Sequence, residues 1–169
     1  MIYLYGHPRA GKTFLSRELS SSGLICEDLD QQVLQLAADF EPKLSLRDLF
    51  QQQFDRFCQL ERQVMTSDGK TKNILSLGGS TLTRTQAPNG LIVYIHCPLD
   101  ILIKRWQIDP PAALPDNDYQ NFYQMRHAHY LSVCHCILTV PNPIAHKAII
   151  HWNKRLSTGL LTTNQIDSI

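Results

Sequence analysis

The sequence predicts an α/β domain of three layers, α/β/α, built on a five-stranded parallel sheet. Three observations carry this expectation. Short apolar runs alternate along the chain with segments of helical periodicity, the pattern of strands joined by crossover helices and covered on both faces. A glycine-rich segment, Gly6–Thr13, stands between the first apolar run and the first helical one. The length of 169 residues suits one domain, 1–169, with a single sizeable core.

Each element has its own signal. Ile2–Tyr5 reads as a buried strand, and the helix after the glycine-rich segment carries Leu15 and Leu19 inward and ends near Ser21-Ser22-Gly23. Leu24–Glu27 is the second strand; Asp28-Leu29-Asp30 follows, then a helix with Val33, Leu34, Leu36 and Ala37. One long helix is expected from Ser45, because Leu46, Leu49, Phe50, Phe54, Phe57, Leu60, Val64 and Met65 keep helical spacing. Ser45 with Asp48 three residues on resembles a Ser-x-x-acid cap for it. Ile74–Leu77 is the third strand and ends at Gly78-Gly79-Ser80, and Pro88-Asn89-Gly90 is a turn. Leu91–Cys97 is the clearest buried strand, followed by a helix from Pro98 to about Trp106. The stretch 107–118 holds three prolines and three aspartates and reads as an exposed loop. Tyr119–Val133 is helical, Cys136–Val140 is the fifth strand, Ile144–Leu156 is the closing helix, and 157–169 is a frayed tail.

Composition excludes several function classes. Sixteen Lys and Arg against 15 Asp and Glu give a formal charge of +1, so a polybasic nucleic-acid surface or a membrane-surface module is not expected. Charged residues make up 18%, below the usual share of about 25%. The shortfall is local: from Trp106 to His146 the only basic residue is Arg126 and the only acids are Asp109, Asp116 and Asp118. No apolar run approaches the ~20 residues of a spanning helix, and Met1–Tyr5 is too short for a signal peptide. The five cysteines form an odd set without a disulfide framework, as expected of reduced thiols in a cytoplasm. The expectation is a cytoplasmic monomer acting on a small molecule.

Gly6-His7-Pro8-Arg9-Ala10-Gly11-Lys12-Thr13 satisfies G-x-x-x-x-G-K-[ST] in full. Glycines there let successive N–H groups turn toward one anion, and the next helix offers its N-terminus to phosphates. Lys12 would reach the β- and γ-phosphates of ATP, and the Thr13 hydroxyl would ligate Mg²⁺. The Asp-x-x-Gly and Asn-Lys-x-Asp segments of a GTPase are absent, and neither the third nor the fourth strand ends in an acid. The available acids are Asp28 and Asp30, two apart, which share one face if the chain there is extended. Asp28 would then hold a metal-bound water and Asp30 would accept a hydrogen bond from a substrate hydroxyl. The other reading open at this point is a pair of helix N-terminal aspartates favoured by the helix dipole.

With these motifs in order, the chain resembles the shikimate kinase family, within the nucleoside-monophosphate-kinase-like P-loop fold. Glu27-Asp28-Leu29-Asp30 looks like its Asp-x-Asp, and Leu49-Phe50, then Phe57 and Glu61, like its helix ending in Phe-Arg-x-x-Glu. Leu77-Gly78-Gly79-Ser80 resembles its triple-glycine substrate loop; Val93-Tyr94-Ile95, Leu102 and Arg105 resemble its fourth strand and helix; Arg126 with Tyr130 resembles its Arg-x-x-x-Tyr. The resemblance spans about 1–156. It implies transfer of the ATP γ-phosphate to the 3-hydroxyl of shikimate. It places ATP against Gly6, Arg9, Ala10, Gly11, Lys12, Thr13, Phe14 and Arg105, and Mg²⁺ near Thr13 and Asp28. Shikimate would lie against Asp30, Gly78, Gly79 and Arg126, with Lys12, Asp30 and Arg9 in catalytic roles.

The departures are specific. Cys58 falls where the family has a substrate-binding arginine; Arg56 is expected to take its place on the substrate side, with Arg62 one turn away. The stretch read as the lid, 107–118, contains Pro110-Pro111-Ala112-Ala113-Leu114 and no arginine, so Arg9 is expected to supply the missing charge. The third loop glycine is Ser80. Gluconate or nucleoside-monophosphate kinase chemistry, or nucleotide binding without catalysis, are the alternatives. His127, His129, Cys134, His135 and Cys136 are dense but match no zinc module, and packing roles are expected for them, as for Trp106, Trp152, His96 and Cys97.

Overall fold

The computed structural model describes residues 1–41, 43–66, 73–111 and 118–159. Strands β1 (Ile2–Tyr5), β2 (Cys26–Asp28), β3 (Ile74–Ser76), β4 (Leu91–His96) and β5 (Cys136–Thr139) form one sheet in the order β2-β3-β1-β4-β5. All four pairings are parallel. The helices are α1 (Lys12–Ser21), α2 (Leu29–Ala38), α3 (Leu46–Gln52), α4 (Phe54–Thr66), α5 (Leu99–Ile108), α6 (Tyr119–Val133) and α7 (Ala145–Ser157). The expected three-layer α/β/α architecture is what forms.

Strand alternation divides the core. Ile2 and Leu4 of β1 join Leu91, Val93 and Ile95 of β4 on one face, against Leu15 and Leu19 of α1, Leu102 and Trp106 of α5, and Ile149 and Trp152 of α7. Tyr3 and Tyr5 point the other way, with Leu75, Ile92 and Tyr94, onto Val33 of α2, Leu49 of α3, Phe57 and Leu60 of α4, and Tyr130 of α6. Two apolar faces explain why β1, β3 and most of β4 are buried without interruption. No helix among the described residues is long and apolar enough to cross a membrane.

The single helix expected from Ser45 is instead two. Gln53 has φ −132° and ψ 50° and ends α3, donating its N–H to Leu49 O while its own carbonyl accepts from Phe57 N. Its side-chain amide donates to both carboxylate oxygens of Glu41, a tertiary tie that the apolar spacing does not register. Ser45 caps α3 as expected, accepting from Asp48 N at 3.1 Å. Cleft-forming segments leave the carboxyl ends of β1, β2 and β3, beside the point where the strand order reverses across β1, the usual ligand position in such sheets.

Candidate functional site

The loop between β1 and α1 is set by close approach. A Cβ at Gly6 would lie 2.6 Å from Ile95 O, and the residue has φ +153°, so only glycine carries the chain over β4 here. Arg9 holds a left-handed φ of 64°. Helix α5 braces the loop: Trp106 Nε1 donates to Pro8 O at 2.9 Å and Arg105 Nη1 to Arg9 O at 2.7 Å. Beneath it, the fully buried His7 ring stacks on Tyr123 at 4.6 Å and meets Tyr130 edge-on. Burial, with the charges of Arg126 and Lys12, lowers its pKa to about 3, so the imidazole is neutral.

Lys12 opens α1, and its Nζ donates to Gly6 O at 2.8 Å and His7 O at 3.0 Å. Burial lowers its pKa to about 8, against the opposing pull of Asp30 and Asp28. Thr13 and Phe14 are exposed in the first turn, where helix N–H groups have no intrahelical acceptor. Ala10 is buried and Gly11 is the N-cap.

The two acids do not lie in one extended strand. Asp28 ends β2 and caps α2, its Oδ1 accepting from Asp30 N at 3.0 Å and Gln31 N at 3.3 Å, while Asp30 belongs to the first helical turn. Asp28 is thus a helix cap, and both acids also border the same cavity. Burial, then the Asp28 charge, raises the Asp30 pKa to about 6, with Lys12 acting in the opposite sense.

Gly78 and Gly79 connect the parts of this site. A Cβ at Gly78 would lie 3.1 Å from Asp30 Oδ1; one at Gly79 would lie 2.9 Å from both Arg126 Nη1 and Pro8 Cδ. Tyr130 Oη donates to Gly79 O at 2.7 Å, and Arg126, one turn earlier on α6, lies 4.3 Å over the Phe122 ring. Lys12, Thr13, Asp28, Asp30, Gly78, Gly79 and Arg126 thus border one cleft of about 870 Å³. A second cavity of about 650 Å³, reached past Gly11 and Arg105, lies between Phe14 and the Pro141–Pro143 segment.

Two expectations need correction, and a third falls partly outside the described residues. Arg56 does not border the cleft: its Nη1 donates to Glu41 Oε1 at 2.6 Å and its guanidinium lies over Phe40. Arg84, which carries no motif, does border it. Its guanidinium holds both oxygens of the fully buried Glu61, at 2.8 and 2.9 Å from Nη2. The signal available in the sequence was Glu61 itself, an acid at a core position with Cys58 where its family pattern has arginine. The stretch read as an exposed loop from Gln107 begins instead inside α5, which runs to Ile108; Asp109, Pro110 and Pro111 border the cleft, and 112–117 lie outside the described residues. Arg9 pairs there with Asp109. Of the tail, 160–169 are likewise outside, and α7 itself runs to Ser157.

The dense His and Cys segment has dispersed partners. His127 Nδ1 lies 2.8 Å from Tyr94 Oη, and His135 Nδ1 accepts from Ile92 N at 2.9 Å. Cys136 is buried in β5. Among the described residues no group of three or more His, Cys, Asp or Glu is placed to hold a metal.

The shikimate kinase family model matches residues 8–146. Solved structures share the fold. Shikimate kinase from Acinetobacter baumannii, in complex with shikimate, superposes with a TM-score of 0.69 at 21% identity, covering 95% of this chain and 94% of that one. Shikimate kinase from Aquifex aeolicus gives 0.64 at 21% identity, over 94% and 97%. That from Bacteroides thetaiotaomicron gives 0.64 at 19%, over 94% and 97%. No curated protein matches the sequence.

Proposed function

The chain belongs to the shikimate kinase family, and from that premise we propose that its main cleft transfers the γ-phosphate of ATP to the 3-hydroxyl of shikimate. The observation that carries this reading is the contact of the Gly78–Gly79 segment with Asp30, Arg126 and the phosphate loop at once. Two consecutive residues bring a proton acceptor, a carboxylate-binding guanidinium and the phosphate loop to one point.

The roles follow from the surroundings. Asp30, with its pKa near 6, is ionised at neutral pH yet basic enough to take up the acceptor hydroxyl proton. Arg126 offers a planar fork to the acceptor carboxylate, and Tyr130 fixes the Gly79 carbonyl beneath it. Lys12 exchanges the carbonyls of Gly6 and His7 for phosphate oxygens, an exchange that favours its charged form. The base of the nucleotide fits the cavity between Phe14 and Pro141–Pro143, beside Arg105. Arg9, at the ATP end, is the guanidinium that would neutralise charge on the phosphoryl group in transit. For Mg²⁺ the donor chemistry fits: the Thr13 hydroxyl and the Asp28 carboxylate, whose Oδ1 alone serves the helix cap, are the oxygen ligands such an ion takes. An ion held by these residues would supply neutralisation of the phosphate charge. One chain supplies every group invoked, and the five free thiols support a reducing, cytoplasmic setting.

Coupled ADP release with ATP and Mg²⁺ tests the reading, comparing shikimate, gluconate and nucleoside monophosphates, with Lys12→Met as control. Turnover that depends on shikimate and is lost in Lys12→Met is expected. Turnover with another acceptor only, or ATP binding without acceptor-dependent release, refutes it.

A further inference from the structure

We propose that Arg84 is a second acceptor-binding arginine, supplying from the turn after β3 the guanidinium that position 58 lacks. This rests on the shikimate kinase reading above and concerns the acceptor end of the same cleft. Helix α4 keeps the frame for such a group: Phe57 and Glu61 are buried, and Glu61 is a carboxylate with no solvent contact. A buried carboxylate needs a cation and hydrogen-bond donors. Neither arginine near Cys58 provides them, because Arg56 is held by Glu41 and the exposed Arg62 donates Nε to Cys58 O. Arg84 provides them from another element, donating Nε and Nη2 to Glu61, while Thr81 Oγ1 completes the carboxylate shell at 2.9 Å.

The same contacts aim the guanidinium. Its Nε–Nη2 edge is spent on Glu61, and its Nη1 reaches Ser80 Oγ, the residue beside Gly79. Its carbon lies 5.3 Å from the Phe57 ring centroid and 5.8 Å from that of Phe50, and the side chain retains 15% exposure, all of it consistent with its place on the cleft wall. Arg126 abuts Gly79 and Arg84 abuts Ser80, so two guanidinia flank consecutive residues of the acceptor loop. A carboxylate between them takes one fork from Arg126 and an Nη1–H from Arg84. Because Glu61 neutralises Arg84 and fixes its orientation, the second arginine acts as a preorganised donor rather than as a loose cation.

Steady-state kinetics with shikimate and ATP test this, using Arg84→Lys, the pair Glu61→Gln with Arg84→Met, and Cys58→Arg combined with Arg84→Met. Lysine keeps a cation for Glu61 but loses the fork, and the paired change removes the buried carboxylate along with its partner, so neither variant leaves an unpaired charge. In both, KM for shikimate is expected to rise about 10-fold or more, the scale of one charge-assisted hydrogen bond, with KM for ATP within about twofold. Arginine restored at position 58 is expected to bring KM for shikimate back toward the wild-type value. Unchanged KM for shikimate in the folded variants, or equal rises for both substrates with a fall in Tm, overturns the proposal and leaves Arg84 a structural partner of Glu61. Wild-type protein that turns over no shikimate overturns the enzyme reading, and this assignment with it.

Discussion

Asp30→Asn is expected to abolish turnover and to stabilise the fold, in a pH-dependent way. Burial and the neighbouring Asp28 raise the Asp30 pKa from 3.8 to about 6, so the folded chain holds this proton more tightly than the unfolded one. Below about pH 4 the carboxyl is protonated in both states and its burial has no electrostatic cost. Between about pH 4 and 6 the folded state binds the extra proton, stability falls as pH rises, and above 6 the full cost is present. At about 1.4 kcal/mol per pH unit the shift corresponds to about 3 kcal/mol as an upper bound. Asp30 also supports the charge on Lys12, which the substitution removes, so a net gain of about 1–2 kcal/mol is expected, or about 2–8 °C in Tm for a domain of this size. Thermal unfolding of both proteins at pH 4 and pH 7.5 measures it: the two should nearly coincide at pH 4 and separate at 7.5, Asp30→Asn the higher. In the coupled assay the variant should lose about 10²–10⁴ in kcat, and wild-type kcat/KM for shikimate should fall on an acid limb near pH 6. An Asp30→Asn protein less stable than wild type at pH 7.5, or a gain that does not change between the two pH values, refutes the electrostatic argument.

Two further substitutions probe opposite ends of the cleft. In Gly79→Ala the new methyl would meet Arg126 Nη1 and Pro8 Cδ at 2.9 Å; the proline ring is anchored in the loop, so the arginine moves. KM for shikimate is expected to rise about 10-fold with KM for ATP nearly unchanged, and steady-state kinetics showing parallel rises would contradict this. Arg9→Ala is expected to lower kcat by at least about 10-fold, and by up to the roughly 10³–10⁵ that an arginine on the transferring group can supply, and to weaken ATP binding far less; unchanged kcat would remove Arg9 from the mechanism.

What the sequence made legible is what local chemistry dictates. The strands follow from apolar runs, the phosphate loop from its fixed residues, and Asp30, Gly78, Gly79 and Arg126 from motifs that each lie within a few residues of a strand end or on one helix face. The misreadings arise where a distant residue decides. Apolar spacing runs unbroken through Gln53, because Phe50, Phe54 and Phe57 all contact one another across the break, and the side chain that marks the break is bound to Glu41. That same Glu41 draws Arg56 away from the cleft. Arg84 was invisible because no spacing rule links a turn after β3 to a helix 23 residues earlier; only the fold brings them together. His7 occupies a variable position of the phosphate-loop pattern, and its burial under Tyr123 and Tyr130 depends on α6 crossing the loop.

Phosphoryl transfer needs charge at positions in space, and arginines from five different elements border this cleft. Arg9 comes from the phosphate loop, Arg47 from α3, Arg84 from the turn after β3, Arg105 from α5 and Arg126 from α6. The charge-poor stretch from Trp106 to His146 acquires a physical meaning in this light. Its one basic residue, Arg126, borders the cleft beside Gly79, on a helix whose described residues after the Asp118 cap include no acid to compete for it. A guanidinium over Phe122 has weaker hydration and no anionic partner on its own helix, which favours an incoming carboxylate. The ATP end is arranged in the opposite way: Arg9 is already paired with Asp109, and both side chains are about half exposed. Exposed pairs of this kind contribute little stability, so a phosphate with greater charge displaces Asp109 at small cost. On the proposed assignment Arg84 is therefore held by Glu61 before substrate arrives, while Arg9 is expected to be released from Asp109 by the anion it would bind.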